Sequence, residues 1–142
     1  MILPMTDAHR AAVLEMMRIF YRSDAVYTDG SEEIFAADVD ACIGDNPFLE
    51  GYVFEENGAV VGYAMVAKSF STEFGKSCVW IEDLYLQPQF RHMGCGKAFF
   101  AFLDEKYPQA LKRLEVEPEN ENAMELYEKA GFSVLPYTEM KK

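Results

Sequence analysis

The sequence predicts a single domain of the mixed α/β (α+β) class, with one mixed sheet flanked by helices. Its 142 residues are close to the usual length of one domain, so we expect a single domain over 1–142. Half of the residues are apolar, which is enough to fill an ordinary core. Some segments repeat apolar residues at helical spacing and others are β-prone runs. The predicted order is helix, helix, strand, strand, strand, helix, strand, helix, strand.

Two helices are predicted at the start of the chain. Thr6 is a suitable N-cap for a helix that ends near Arg22, and the segment between them has a broad apolar face. Ser31 is a suitable N-cap for the second helix, because the two glutamates that follow it complement the positive end of the helix dipole. Gly44 ends the second helical pattern.

Three strands are predicted next. Asn57-Gly58 lies between two β-prone runs, and this dipeptide is the strongest short-range signal for a β-hairpin. The first hairpin strand begins near Gly51 and the second covers 59–66. The third strand is predicted over Cys78–Leu86 and has two adjacent acidic residues in its middle.

The last third of the chain alternates helices with short strands. We predict a helix over Lys97–Lys106, a strand over Leu114–Val116, a helix over Asn120–Ala130 and a final strand over Phe132–Leu135. A strand, a crossover helix and a second strand form a unit that usually pairs its strands in parallel. The third and fourth strands of this chain are therefore expected to be parallel neighbours.

Charge and hydropathy exclude several classes of partner. Lys and Arg number 13 against 24 Asp and Glu, which gives a net charge of -11 and argues against nucleic acid as a partner. The same charge favours the approach of cations such as amines. The longest apolar run, Ala59–Ala67, is too short to span a membrane. Three cysteines without a CxxC spacing, and no leader-like N-terminus, predict a reduced, cytoplasmic protein.

The segment Gln89–Lys97, QFRHMGCGK, joins a predicted strand to a predicted helix. Glycines let backbone N–H groups approach a ligand closely, and the helix dipole favours an anion there, as do Arg91 and Lys97. The alternative is that the glycines only form a tight turn. A P-loop is excluded because Arg91 and Ala98 stand where it needs a glycine and a hydroxyl. A dinucleotide-binding GxGxxG is excluded because Phe99 stands at its third glycine.

The spacing of Arg91, Gly94 and Gly96 resembles the pyrophosphate-binding loop of the GCN5-related N-acetyltransferase (GNAT) family. The chain also resembles this family in the preceding strand, WIEDLYLQPQFR, and in the later segment EVEPENENAMELYEKAGF. The three blocks occur in the family's order over Trp80–Phe132. The resemblance implies the GNAT fold, which has a mostly antiparallel sheet with a splayed parallel pair. It also implies acetyl-CoA as the co-substrate, with no metal.

The resemblance implies cofactor contacts at three places. The strand end would offer backbone groups to the pantetheine arm, the loop would hold the pyrophosphate, and the last helix would contact the cofactor from the other side. The residues implied are Leu84, Tyr85, Leu86, Arg91, His92, Met93, Gly94, Cys95, Gly96, Lys97, Asn120 and Tyr127. His92 stands where the family often has glycine, and Cys95 stands where an aliphatic residue is usual.

The resemblance also suggests catalytic residues. The segment Glu-Asp-Leu-Tyr resembles the corresponding segment of the family branch that acetylates small polyamines and related amines. In that branch the equivalent of Glu82 is the proposed base. A base is needed because an alkylamine with a pKa of about 10.4 is protonated at neutral pH. Adjacent strand residues point to opposite faces unless a bulge intervenes, so at most one of the two acids is expected to be well placed for catalysis, and Asp83 could bind the substrate cation. Tyr127 is implied near the thioester sulfur, as a general acid or as a hydrogen-bond donor only.

Several alternatives stay open at this stage. The two acids could simply be ion-paired or solvated, and Tyr127 could be a core aromatic. The acceptor is expected to be a small cationic amine such as a polyamine, with a protein lysine or N-terminus as the alternative. A non-catalytic acyl-CoA-binding module is the alternative of another class. The oligomeric state is also open, with a homodimer among the options.

Overall fold

The computed structural model describes residues 1–142 and contains one five-stranded sheet with four α-helices. The elements in chain order are β1 Ile2–Pro4, α1 Arg10–Phe20, α2 Glu32–Ile43, β2 Leu49–Glu56, β3 Ala59–Ser71, β4 Lys76–Leu86, α3 Cys95–Lys106, β5 Leu111–Leu114 and α4 Glu121–Lys129. The strands lie in the order β1-β2-β3-β4-β5. The first three pairings are antiparallel, and β4 pairs with β5 in parallel, as the sequence predicts.

The helices pack on both faces of the sheet because side chains alternate along the strands. Tyr63 and Met65 of β3 point to the face covered by α1 and α2. Ala64 and Val66 point to the opposite face, which α3 covers and where Tyr127 of α4 packs at the edge. Each face thus has its own buried cluster, and the sheet lies between them. None of the helices is both long and apolar enough to cross a bilayer.

Several local predictions are confirmed. The Ser31 hydroxyl accepts a hydrogen bond from the backbone N–H of Ile34 and caps α2. Asn57 and Gly58 both have positive φ, 51° and 79°, which is the conformation that a type I′ hairpin turn requires. Thr6 instead precedes a short 3₁₀ turn, Asp7–His9, that leads directly into α1.

The ends of the chain differ from the prediction. Strand β1 was not predicted, since three residues cannot show an alternating pattern; it pairs with Tyr52–Phe54 of β2. The predicted last strand over Phe132–Leu135 is wrong, because Phe132 packs on the ring of Phe100 and no strand pairing follows. The fourth predicted strand lies three residues earlier than expected, at Leu111–Leu114.

The parallel pair separates before β4 ends, and this creates a gap in the sheet. Pairing between β4 and β5 stops at Ile81 and Leu114. Strand β4 continues through Leu86, but only β3 pairs with this last part. The residues of β4 after Ile81 therefore have an open side. The splayed parallel pair implied by the sequence resemblance is present.

Candidate active site

A β-bulge lies at the start of the gap and separates the two adjacent acids. Met65 of β3 faces Asp83, whereas the next residue, Val66, faces Ile81, so Glu82 has no partner on β3. An extra residue of this kind reverses the alternation of the strand. Asp83 is consequently turned to the α1 face, where it is only 4% exposed. Glu82 remains exposed at the open side of β4.

Alternate residues beyond the bulge present backbone groups to the gap. The carbonyl oxygen of Tyr85 faces Gly62 of β3, and the N–H of Gln87 bonds to β3 as well. The backbone groups of Leu84 and Leu86 therefore point away from β3. The carbonyl oxygen of Leu86 already accepts a 2.8 Å hydrogen bond from Arg91 Nε. The two predicted pantetheine contacts, Leu84 and Leu86, thus face the open side of the strand.

Three carboxylates, those of Glu82, Glu115 and Glu139, come together in the gap where β5 ends. Burial raises the pKa of Glu115 to about 7, together with a hydrogen bond to Glu139 and the charges of Glu139 and Glu82. Partial burial of its carboxylate also raises the pKa of Glu82, although the side chain as a whole is exposed, and Asp83, Glu139 and Asp38 contribute further. None of these three glutamates forms an ion pair within the chain. No ion pair within the chain therefore neutralises the negative charge of this cluster.

The C-terminal residues bring Glu139 to this cluster. Tyr137 Oη donates a 2.7 Å hydrogen bond to Glu73 in the β3–β4 turn. Lys141 Nζ lies 5.7 Å from the centroid of the Tyr27 ring, in the connection between α1 and α2. Glu139 lies between these two contacts in the sequence. The approach of Glu139 to the gap could not be predicted from the sequence, because no local pattern links residues so far apart.

Asp83 is surrounded by tyrosines and not by cations. Its carboxylate accepts hydrogen bonds from Tyr63 Oη at 2.7 Å and from Tyr21 Oη at 3.0 Å. Burial raises the pKa of Asp83, while the two hydroxyls act in the opposite direction. Asp83 and Glu82 thus lie in different surroundings, one enclosed and one open to solvent.

The loop after β4 has the geometry of an anion site. Gly94 is the N-cap of α3 with a φ of 86°, and a Cβ atom there would meet nothing within 4 Å. No side chain caps the helix, so the N–H groups of Cys95, Gly96 and Lys97 are free for a ligand. His92 also has a positive φ of 60°. The positive end of the α3 dipole adds to the attraction of an anion.

The side chains of the loop have different surroundings. The guanidinium of Arg91 lies 5.6 Å from the centroid of the Tyr85 ring, so the arginine is held against the end of β4. Met93 is 66% exposed. Cys95 is half-buried and, with Met93 and Phe90, lines an apolar cavity of about 410 Å³ beside the first turn of α3.

Helix α4 forms the other side of the gap. The Asn120 side chain accepts a 3.2 Å hydrogen bond from the N–H of Ala123 and caps the helix. The Tyr127 ring packs edge-on against Phe100 and Phe132, with centroids 5.9 and 6.1 Å away. Burial raises the pKa of Tyr127. Asn120 therefore has a structural role as a helix cap and Tyr127 has one in packing, in addition to the cofactor contacts predicted for them.

The structure brings most of the predicted site residues to one gap. The strand end, the loop and the first turn of α3 are continuous. Helix α3 lies close to α4 at Gly96, where an added Cβ atom would be 3.4 Å from Cδ2 of Leu126. Sequence reasoning missed Glu115 and Glu139 as members of the site, and it missed the two tyrosines that bind Asp83. No three His, Cys, Asp or Glu side chains are arranged to hold a metal ion.

Comparison with known proteins gives matches over most of the chain. Residues 12–132 match the model of the acetyltransferase (GNAT) family. The thialysine N-epsilon-acetyltransferase of Bos taurus is 33% identical over 122 residues, which cover 77% of this chain and 68% of the relative. The mouse (Mus musculus) protein of the same name is also 33% identical over 122 residues, with the same coverage of both chains.

Solved structures match the fold over its whole length. AAC(6')-Iy in complex with the bisubstrate analog CoA-S-monomethyl-acetylneamine superimposes with a TM-score of 0.82 and 15% identity, covering 100% of this chain and 96% of the other. A possible acetyltransferase from Clostridium difficile 630 has a TM-score of 0.83 and 17% identity, covering 100% and 95%. The fold is therefore the same in proteins whose sequences have diverged widely.

Proposed function

Because the chain belongs to the acetyltransferase (GNAT) family, we propose that it transfers the acetyl group of acetyl-CoA to a primary amine of a small cationic molecule. The observation that carries the proposal is the contrast between the two ends of the gap. One end has free backbone N–H groups at the start of α3, which suit the pyrophosphate of the cofactor. The other end has three glutamates without ion pairs, which suit a cationic acceptor.

The cofactor would extend along the open side of β4. The backbone groups of Leu84 and Leu86 would bind the pantetheine arm, and the N–H groups at the start of α3 would bind the pyrophosphate. The side chains of Arg91 and Lys97 would add positive charge there. Tyr85, His92 and Met93 would line the same path, with Asn120 and Tyr127 across the gap.

The reaction requires one proton transfer before the new bond forms. Glu82, whose pKa is raised, takes a proton from the ammonium group of the acceptor, directly or through water. The free amine then attacks the thioester carbonyl carbon, and the N–H of Leu84 stabilises the oxyanion. The C–S bond breaks, an amide forms, and the thiolate of CoA takes up a proton.

Tyr127 would act in this scheme as a hydrogen-bond donor to the departing sulfur. A phenol with an ordinary pKa of about 10 is already a weaker acid than a thiol with a pKa of about 8.5. Burial raises the pKa of Tyr127 further, which makes complete proton transfer less favourable still. A hydrogen bond to the sulfur needs no such transfer.

The first experiment is thermal unfolding with acetyl-CoA, with NADH and ATP as controls. Binding to the native state raises the midpoint by mass action, so we expect a rise with acetyl-CoA alone. Release of the CoA thiol is then followed with spermidine, lysine, thialysine and a lysine-containing peptide. Turnover of small amines supports the proposal. Turnover of the peptide alone would contradict the small-molecule acceptor, and binding without any turnover would favour a non-catalytic module.

A pair of glycine variants tests the cofactor loop. Gly94 and Gly58 both have positive φ, 86° and 79°, and both have open space around an added Cβ. Replacing either one with alanine should cost a similar amount of stability, about 1–2 kcal/mol. Only Gly94→Ala should raise the KM for acetyl-CoA, by roughly tenfold or more, because only that turn presents N–H groups to the pyrophosphate. An equal KM in both variants would contradict this location of the cofactor.

A further inference from the structure

The burial of the Asp83 carboxylate is not explained by a contribution to the stability of the fold. Its carboxylate is 4% exposed and is held by two tyrosine hydroxyls, with no cation in contact. Burying a carboxylate costs free energy, and an apolar group of similar size is often at least as stable in such a position. A buried polar group that does not improve stability can instead fix one arrangement of the chain.

The two hydrogen bonds of Asp83 join three elements. Tyr63 belongs to β3 and is fully buried, so its hydroxyl is a fixed point beside β4. Tyr21 directly follows α1, and its ring packs on Phe35 of α2 with centroids 5.1 Å apart. The connection between α1 and α2 begins immediately after Tyr21. Asp83 therefore attaches the start of this connection to the strand that carries Glu82.

Asp83 also lies directly after the bulge. Glu82 has no partner on β3, so the sheet hydrogen bonds alone leave its direction weakly determined. Since the side chain of Asp83 is fixed at two points, the peptide that joins it to Glu82 is fixed as well. The direction of the Glu82 side chain then depends on contacts made by its neighbour.

We propose that Asp83, held by Tyr21 and Tyr63, is a positioning residue that orients Glu82 and holds the α1–α2 connection at the acceptor side of the gap. This role differs from the sequence-based prediction, in which Asp83 itself binds the substrate cation. The proposal rests on the proposed function, because it assigns Asp83 a task in the binding and deprotonation of the acceptor amine.

Asp83 also acts on Glu82 through its charge, which raises the pKa of Glu82. The groups that act on Glu82 come from four parts of the molecule: Asp83 from its own strand, Asp38 from α2, Glu139 from the C-terminal segment and Glu115 from the end of β5. All of them are acidic. Removing the charge of Asp83 should therefore lower the pKa of Glu82, although the side chain of Asp83 does not reach the gap.

The decisive variant is Tyr21→Phe, with Tyr107→Phe as its matched control. Both changes remove one tyrosine hydroxyl that donates to a carboxylate, but Tyr107 donates to Glu50, which lies outside the gap. We expect Tyr21→Phe to raise the KM for the acceptor amine about tenfold and to leave the KM for acetyl-CoA unchanged. Tyr107→Phe should change neither KM.

Asp83→Asn is the second variant, since it keeps the size of the side chain and removes its charge. We expect kcat to fall roughly tenfold and the acidic limb of the kcat/KM profile to move to lower pH. A merely structural role would not move that limb. If the variant does not fold, Tyr21→Phe still decides the question.

The outcomes separate this proposal from the one it rests on. If the unmodified protein acetylates no amine, the proposed function fails first. If it is active, but Tyr21→Phe keeps the original amine KM and Asp83→Asn keeps the original pH limb, the role of Asp83 is overturned and the proposed function stands.

Discussion

Glu50 and the glutamates of the gap show two opposite environments for the same side chain. Glu50 accepts hydrogen bonds from Lys68 and Lys106, each at 3.0 Å, and from the hydroxyls of Tyr52 and Tyr107. Burial by itself would raise its pKa, but the four donors together lower it to about 2. In the gap, burial and neighbouring carboxylates instead raise the pKa of Glu115 to about 7.

The difference separates an acidic residue that stabilises the fold from the glutamates that, in the proposed function, bind the acceptor amine. The Glu50 cluster joins β2, β3 and the end of α3, and its carboxylate forms ion pairs with two lysines of the chain. The gap cluster has no ion pair in the chain, and the raised pKa values of Glu82 and Glu115 show that its charged form costs the folded state stability. Either a proton or a cationic ligand relieves the repulsion.

The largest expected effect is on catalysis and comes from the gap. Glu82→Gln removes the proposed base, so we expect kcat/KM to fall by roughly 100-fold or more, as is usual for loss of a general base. The midpoint of thermal unfolding should not fall, because one of the repelling charges is removed. Steady-state kinetics and thermal unfolding of the same preparation check both statements. An unchanged pH–rate profile would show that another group acts as the base.

The next largest effect is on stability and comes from the other cluster. Glu50→Gln removes the charge that two lysines share, so we expect a loss of about 1–2 kcal/mol, a modest value because the cluster is partly exposed. In a domain of this size the midpoint of unfolding should fall by about 3–6 °C. The kinetic constants should be retained. A large loss of kcat in a folded variant would mean that the two clusters are coupled.

The smallest effect concerns the dependence of stability on pH, and the two clusters should act with opposite sign. The folded pKa of Glu50, about 2, is below its ordinary value, so its contribution is present above pH 4.5 and is lost as the pH falls towards 2. The folded pKa of Glu115, about 7, is above its ordinary value, so its contribution is present below pH 4.5 and is lost as the pH rises towards 7.

The variant Glu115→Gln separates the two contributions. We expect it to flatten the decline in unfolding midpoint between pH 4.5 and 7, while the rise between pH 2 and 4.5 stays as in the unmodified protein. Thermal unfolding over a pH series measures both slopes. If the decline is equally steep in Glu115→Gln, the raised pKa belongs to another group of the cluster.

Much of the fold follows from local signals in the sequence. The cap at Ser31, the turn at Asn57-Gly58 and the glycine at position 94 each depend on contacts or backbone angles within a few residues. The parallel pairing of β4 and β5 follows from the length of the helical crossover between them. The loop and strand residues of the predicted cofactor site could be named for the same reason, since its groups are backbone groups of one continuous segment.

The tertiary structure alone decided which acid faces the gap and which charges meet there. The bulge at Glu82 depends on the register between β3 and β4, and the burial of Asp83 depends on Tyr21 and Tyr63, which are 62 and 20 residues away. The approach of Glu139 to Glu115 depends on how the C-terminal segment crosses the molecule. A site built from side chains of distant segments leaves no local pattern in the sequence. A site built from the backbone groups of one loop leaves such a pattern, because all of its groups lie within a few residues of one another.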